Sequence, residues 1–267
     1  MTWNTQWRFG EWQARQPLLL EALIAEHPDV VLLQETWPAQ AVALAESCGL
    51  QVIGFGGGYF DQTLSKVPID EEFGNAVLAR VGGVIDIEAF PSAGDPAPRC
   101  VVLAEVAGPD QGDNLLVAST HLCHLWDKPD VRSAQLETVV GRLARENRPF
   151  LLAGDCNLVP SSSEYKAALA LGLVDTWADL RPADLGATMV PTNPEVSHTG
   201  WMNDRNGDAA PKDSGVRLDY VWTGADLEIS AIDRIGFGAG PRWPSDHLGL
   251  VCEIAPARGS GRARVHG

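Results

Sequence analysis

Val30-Val31-Leu32-Leu33 is the run that most restricts how this chain can fold. It is continuously apolar and β-branched at its start, and it lies between His27-Pro28-Asp29, which breaks what precedes it, and the polar Gln34-Glu35. A strand with one wet face would alternate, so this one is expected to be covered on both faces. Phe150-Leu151-Leu152-Ala153 and the stretch from Leu248 to Ile254 read as buried strands too. The 3.6-residue period predicts helices over 12–26, 38–47, 131–146 and 163–171. Leu18, Leu19, Ala22 and Leu23 form the stripe of the first, and Leu136, Val139, Val140 and Leu143 that of the third. Ser161, Ser162 and Ser163 are candidate caps for the fourth. Other strands are expected at 1–7, 51–55, 100–107, 114–120, 217–222 and 227–234, and at 75–80 with 83–88 as a pair. Residues 56–70 read as a Gly-rich loop, 121–130 as a loop, and 173–214 as a long polar one.

A chain of 267 residues is near the upper limit of one core. A single domain over 1–256 is therefore expected, followed by a flexible, basic, Gly-rich tail over 257–267. No apolar run reaches the ~18 residues of a membrane span, and the first residues lack the apolar core of a signal peptide. Five cysteines, scattered and odd in number, fit reduced thiols. A cytoplasmic monomer is the expectation. The net charge of −15 argues against a broad electropositive face for nucleic acid. It does not exclude a nucleic-acid enzyme, because a bound divalent cation inverts the sign locally.

One pattern recurs at the strand ends: Asn4, Glu35, His121, Asp155 with Asn157, Asp219, and Asp246 with His247. Side by side, such strands would deliver all of these residues to one edge. Glu35, Asp246, Asp155, Asn4 and Asn157 offer hard oxygen ligands, which suit Mg²⁺ or Mn²⁺ better than Zn²⁺. His121 and His247 remain for proton transfer and for binding an anionic oxygen. Such a set can direct water in line at a phosphoester. His121, His124 and Asp127 also spell HxxHxxD, but in a loop, and no dedicated zinc site is expected there.

Trp3-Asn4, Leu33-Gln34-Glu35, Gly74-Asn75-Ala76, Thr120-His121-Leu122, Arg132-x-x-Gln135, Gly154-Asp155-Cys156-Asn157, Leu218-Asp219-Tyr220 and Ser245-Asp246-His247 follow in order. The series resembles that of the endonuclease/exonuclease/phosphatase superfamily over nearly the whole chain. The resemblance implies an α/β fold, a four-layer α/β sandwich with two mixed β-sheets packed face to face and helices on both outer sides. It implies Glu35 as the main metal ligand with Asn4 beside it, and Asp246 sharing or supporting the Mg²⁺ or Mn²⁺. His247, oriented by Asp219, would be a general base or phosphate contact, and Asp155 would position or deprotonate the water. Asn157 and His121 would donate to the phosphoryl group. Arg132 is expected to brace a loop. Trp201, Asn203, Arg205 and Asn75 are candidate substrate contacts, with Trp243 near them.

His121 is similar to the branches that hold deoxyribonuclease I, sphingomyelinases, phosphatases and tyrosyl-DNA phosphodiesterases, whereas His198-Thr199-Gly200-Trp201 departs from the last of these. The implied activity is a phosphodiesterase acting on DNA or nucleotide-like diesters. A phospholipid or sphingomyelin phosphodiesterase, a phosphomonoesterase and a non-catalytic binding module are the alternatives.

Overall fold

The apolar runs become the middle strands of two sheets. In a computed structural model, residues 1–67, 70–108, 114–196, 215–238 and 240–254 are described. The strands among them are β1 (Thr2–Asn4), β2 (Val30–Thr36), β3 (Gln51–Gly58), β4 (Phe73–Ala79), β5 (Gly82–Ala89), β6 (Cys100–Ala107), β7 (Asn114–His121), β8 (Phe150–Asp155), β9 (Val174–Asp175), β10 (Asp219–Thr223), β11 (Ile229–Ile235) and β12 (Gly249–Ile254). The helices are α1 (Trp12–Ala25), α2 (Pro38–Ser47), α3 (Pro129–Glu146), α4 (Ser163–Ala170) and α5 (Thr176–Leu180).

The first sheet runs β11-β12-β1-β2-β4-β3 and the second β5-β6-β7-β8-β10-β9. Each contains one parallel pair, β1 with β2 and β7 with β8, and every other pairing is antiparallel.

Side-chain alternation sorts these strands into layers. Leu32, Val77, Val102, Val117, Ala153, Val221 and Leu250 meet in the space between the sheets. Their neighbours Val31 and Leu33 turn outward to Leu19 and Leu23 of α1 and Leu44 of α2. Leu116, Ala118 and Leu152 turn the other way to Leu136, Val139 and Leu143 of α3. Two faces, both apolar, are why these runs do not alternate. The result is the expected four-layer sandwich, helices outside and two mixed sheets within.

Three details differ from the sequence reading. Gly56, Gly57 and Gly58 continue β3 instead of opening a loop, paired with Asn75, Gly74 and Phe73. A side chain at Gly57 would put its Cβ 2.2 Å from the Phe73 carbonyl oxygen, so the strands meet there only because Gly57 has none. Second, β4 and β5 are not a pair. Both edges of β4 are taken, by β2 and β3, and the chain therefore crosses into the other sheet, where β5 joins β6. Third, residues after 173 hold β9 and α5, and Met189 bridges Val216. Asp175 organises that segment: it accepts from the Trp177 and Ala178 amides at the start of α5, from Tyr165, and from Arg217. The helix cap at Ser162 is as read, accepting from the Tyr165 amide at 3.2 Å.

All five cysteines are unpaired. No described helix is long and apolar enough to cross a membrane.

Candidate functional site

Parallel pairing brings the ends of successive strands to the same place. In β1 and β2, Asn4 aligns with Gln34, one residue before Glu35. In β7 and β8, His121 aligns with Asp155. β10 runs antiparallel to β8 and so begins where β8 ends, with Asp219 opposite Asp155. β12 is likewise antiparallel to β1, and Asp246 and His247 stand just before it. Both sheets thus deliver their polar residues to one edge.

Those residues touch across the gap between the sheets. Asn4 donates through Nδ2 to Asp155 Oδ2 at 3.0 Å, and its Oδ1 accepts from the Gln6 amide at 2.9 Å. His247 Nδ1 lies 2.7 Å from Asp219 Oδ2, and its Nε2 is 3.9 Å from Asp155 Oδ2. His121 Nε2 is 3.3 Å from the same Asp155 oxygen. The Asn157 amide donates to Asp155 Oδ1 at 3.0 Å, while its side chain donates to the Leu122 carbonyl. Ligand atoms of Glu35, His121 and Asp155 lie within 4.8 Å of one another, as do those of Asp155, Asp219 and His247.

The backbone here is unusual. Gln6, Trp7, Glu35 and Asn157 all have φ between 33° and 59°, the left-handed region, which costs a side-chain-bearing residue roughly 1–2 kcal/mol. Such residues persist only where surrounding bonds over-determine them.

Burial and neighbouring charge set the proton affinities. Burial raises Glu35 to about 7, with the charge of Asp246 adding to it. Burial raises Asp246 and Asp219 as well. For His247, burial opposes the charge, but the carboxylates of Asp219, Asp155 and Asp246 outweigh it and lift the imidazole well above its usual value. Asp155 is the reverse case. Burial works against its ionisation, yet His121 and His247 hold it well below the carboxylate range. Burial and nearby Arg99 lower His121 to about 4, so it is neutral at physiological pH.

Of the expected substrate contacts, Asn75 is buried and donates to the Cys100 carbonyl at 2.9 Å. Trp201, Asn203 and Arg205 lie outside the described residues, as does the tail over 257–267. Trp243 is buried and packs edge-on against Phe237. His124 is drawn to Asp95 and Arg99, each at 3.0 Å.

Several contributors escaped the sequence reading. Thr188 lies in the supposed polar loop, yet its hydroxyl accepts from the Leu218 and Asp219 amides and its carbonyl accepts from the Leu248 amide, so it ties Asp219 to the His247 segment. Gln6 accepts from the Asp246 amide at 3.1 Å. Arg15 is fully buried beneath the loop after β1. Its signal was present: Arg15, Leu19 and Leu23 share the inward face of α1 at four-residue spacing.

Comparison with known proteins bears on this arrangement. The model of the endonuclease/exonuclease/phosphatase family matches residues 1–247. The chain belongs to that family. Among curated members of the endonuclease/exonuclease/phosphatase family it is similar to tyrosyl-DNA phosphodiesterase 2 of Gallus gallus, 24% identical over 95% of this chain and 66% of that protein. It is also similar to nocturnin of Rattus norvegicus, 25% identical over 92% of this chain and 59% of that one. The chain thus spans less than two thirds of these relatives' length. A solved structure of humanized D. rerio TDP2 superposes with a TM-score of 0.70 at 20% identity, covering 96% of this chain and 97% of that one. A Bacteroides thetaiotaomicron mannosyl-6-phosphatase superposes at 0.67 with 17% identity, covering 95% and 98%. These likenesses show the endonuclease/exonuclease/phosphatase fold.

Proposed function

We propose that this chain, as one domain over 1–256, is a Mg²⁺- or Mn²⁺-dependent phosphodiesterase that hydrolyses a phosphoester by direct in-line attack of water. The observation that carries the reading is Asp155, whose two oxygens accept from Asn4 and Asn157 while His121 and His247 stand 3.3 and 3.9 Å away, the latter held by Asp219. The donor set fits a hard cation. Glu35 and Asp246 are acids raised by burial, and Asp246 adds its charge to that of Glu35. Carboxylates so placed take a divalent ion in preference to protons. Glu35 would hold it, with Asp246 and Asn4 at its side. When bound, the ion supplies electrostatic stabilisation of the charge that develops on phosphoryl and leaving oxygens.

The chain's own groups do the rest. Asp155, kept ionised, accepts a hydrogen bond from the attacking water and takes its proton. His247, protonated and backed by Asp219, donates to a phosphoryl oxygen, and neutral His121 donates beside it. Asn157 holds the Asp155 carboxylate, and Asn75 braces β4 against β6.

DNA ends and nucleotide-like diesters are the proposed substrates. One relative is by name a tyrosyl-DNA phosphodiesterase, and a D. rerio TDP2 solved with a single-strand DNA product shares the fold at a TM-score of 0.68. Trp201, Asn203 and Arg205 stand in the segment before Asp219 and are proposed as its contacts. A phosphomonoesterase is the second reading, favoured by the likeness to a sugar-phosphate phosphatase and by the net charge of −15. The unpaired cysteines support a reducing, cytoplasmic setting, and a monomer is proposed.

The test is a substrate panel in Mg²⁺, Mn²⁺ or EDTA: tyrosyl-DNA, single- and double-stranded DNA, sphingomyelin, bis-p-nitrophenyl phosphate and mannose 6-phosphate. Turnover of diesters that stops in EDTA is expected, and activity that survives chelation would sink the metal mechanism. Turnover of mannose 6-phosphate alone would favour the second reading.

A further inference from the structure

Arg15 is a fully buried cation beneath the candidate metal-side residues, and the proposed chemistry leaves it without a task. Its Nη1 donates to the carbonyls of Thr5 and Pro244, each at 3.1 Å. Its Nη2 donates to those of Gln6 at 3.1 Å, Trp7 at 3.3 Å and Phe9 at 2.9 Å. The four hydrogens on these two nitrogens thus serve five backbone oxygens drawn from two segments, residues 5–9 and Pro244, the latter 229 residues from Arg15.

Each segment carries a proposed metal-side group. Thr5 follows Asn4, and the Thr5 and Trp7 amides donate to the carbonyls of Gln34 and Glu35 at 2.9 and 2.8 Å. Pro244 precedes Ser245 and Asp246. The Ser245 hydroxyl donates to the Asn4 carbonyl at 2.7 Å, and the Asp246 amide donates to Gln6 Oε1. Gln6 and Trp7, whose carbonyls Arg15 holds, are in the left-handed region, a conformation the loop would not adopt unheld.

We infer that Arg15 is a positioning residue for the metal: through these carbonyls it fixes Asn4, Glu35 and Asp246 relative to one another. The inference rests on the reading above that these three hold a divalent ion. A planar guanidinium can serve acceptors spread around it, whereas a lysine ammonium cannot reach five. Groups that orient ligands from behind are worth ~10–100-fold in metal affinity when lost.

Calorimetric titration of Mn²⁺ into wild type, Glu35→Gln, Arg15→Lys and Arg15→Gln tests it, with melting in EDTA as the check of folding. Folded Arg15 variants should bind Mn²⁺ at least ~10-fold more weakly, and kcat should fall while KM for substrate holds. Loss of Mn²⁺ in Glu35→Gln combined with affinity within about twofold of wild type in a folded Arg15 variant would overturn this inference alone. A wild type that takes up no Mn²⁺, or a Glu35→Gln that binds it unchanged, would overturn the metal reading and this inference with it. Should both Arg15 variants fail to fold, wild type decides. Mn²⁺ should then slow amide exchange at Thr5, Trp7 and Asp246 together, and slowing at Asp246 alone would refute the shared clamp.

Discussion

Gln34 reaches across the space between the two sheets and donates from Nε2 to the hydroxyl of Ser119 at 3.1 Å. Ser119 returns the contact by donating to the Leu33 carbonyl at 3.0 Å. One residue further along each chain direction stand Glu35 and Thr120, so this buried polar tie lies directly under the candidate site. Gln34 also exchanges hydrogen bonds with the Thr2 hydroxyl at 3.2 and 3.1 Å, and stripping buried polar groups of such a partner costs about 1–3 kcal/mol. Gln34→Ala should lose that much in urea unfolding. A loss under about 0.5 kcal/mol, half a typical net hydrogen bond, would show that the sheets dock without it.

Glu35 gives the metal-free protein a pH dependence of known sign. Its folded pKa is raised to about 7, above the ordinary 4.5. The stability this contributes is fully present below pH 4.5 and is lost as pH rises through 7, a change of about 3 kcal/mol. Glu35→Gln lacks that loss and should melt higher than wild type at pH 8 in EDTA. His121, lowered to about 4, pulls oppositely as pH falls from 6.5, and subtracting the two melting curves removes its effect. Equal melting of the two proteins across this range would refute the raised Glu35.

Asp219→Asn keeps the shape beside His247 and removes the charge that raises it. Turnover should drop ~10²–10⁴-fold, and the His247 pKa, followed by NMR, should fall. A variant with unchanged turnover and titration would remove the pair from the proposed chemistry.

Gly154 stands in β8 with φ 145°, and a Cβ built on it would lie 1.9 Å from the Thr120 carbonyl oxygen of β7. Gly154→Ala must part the strands that hold His121 and Asp155 in register. A stability loss above about 2 kcal/mol is expected from calorimetry, in the range of named backbone and packing conflicts.

Arg132 pairs with Glu164 at 2.7 Å and donates to the carbonyls of Cys123, Leu125 and Trp126, so it braces the loop after His121. Removing one member of a buried pair costs about 3–5 kcal/mol. Arg132→Ala should melt far lower, yet keep kcat near wild type well below its melting temperature. A large fall in kcat there would give Arg132 a part in the chemistry.

The sandwich and most of the candidate site were legible because their signals are local. Each apolar run ends in its own polar residue, and parallel pairing then places those ends together without further instruction. What could not be read depends on partners distant in sequence. Nothing in Gly83 to Glu88 says that β4 already has two neighbours. Thr188 is an ordinary loop threonine until Asp219 and Leu248 are placed around it. Gln6 and Arg15 act through backbone groups, whose positions have no signature in residue type.

The indole of Trp3 donates to the carbonyl of His247 at 2.9 Å, and β1 lies between β2 and β12. Trp3 in β1 thus waits for a partner 244 residues further along the chain. A chain stopped after β11 would have the Glu35 and Asp155 ends but neither Asp246 nor His247, and β1 would have one bare flank. Site assembly and completion of the first sheet are therefore one event, and fragments from either half should be inert until they are mixed. Because this closure joins residues so far apart in sequence, it should also be slow, and the appearance of the proposed activity would time the last step of folding.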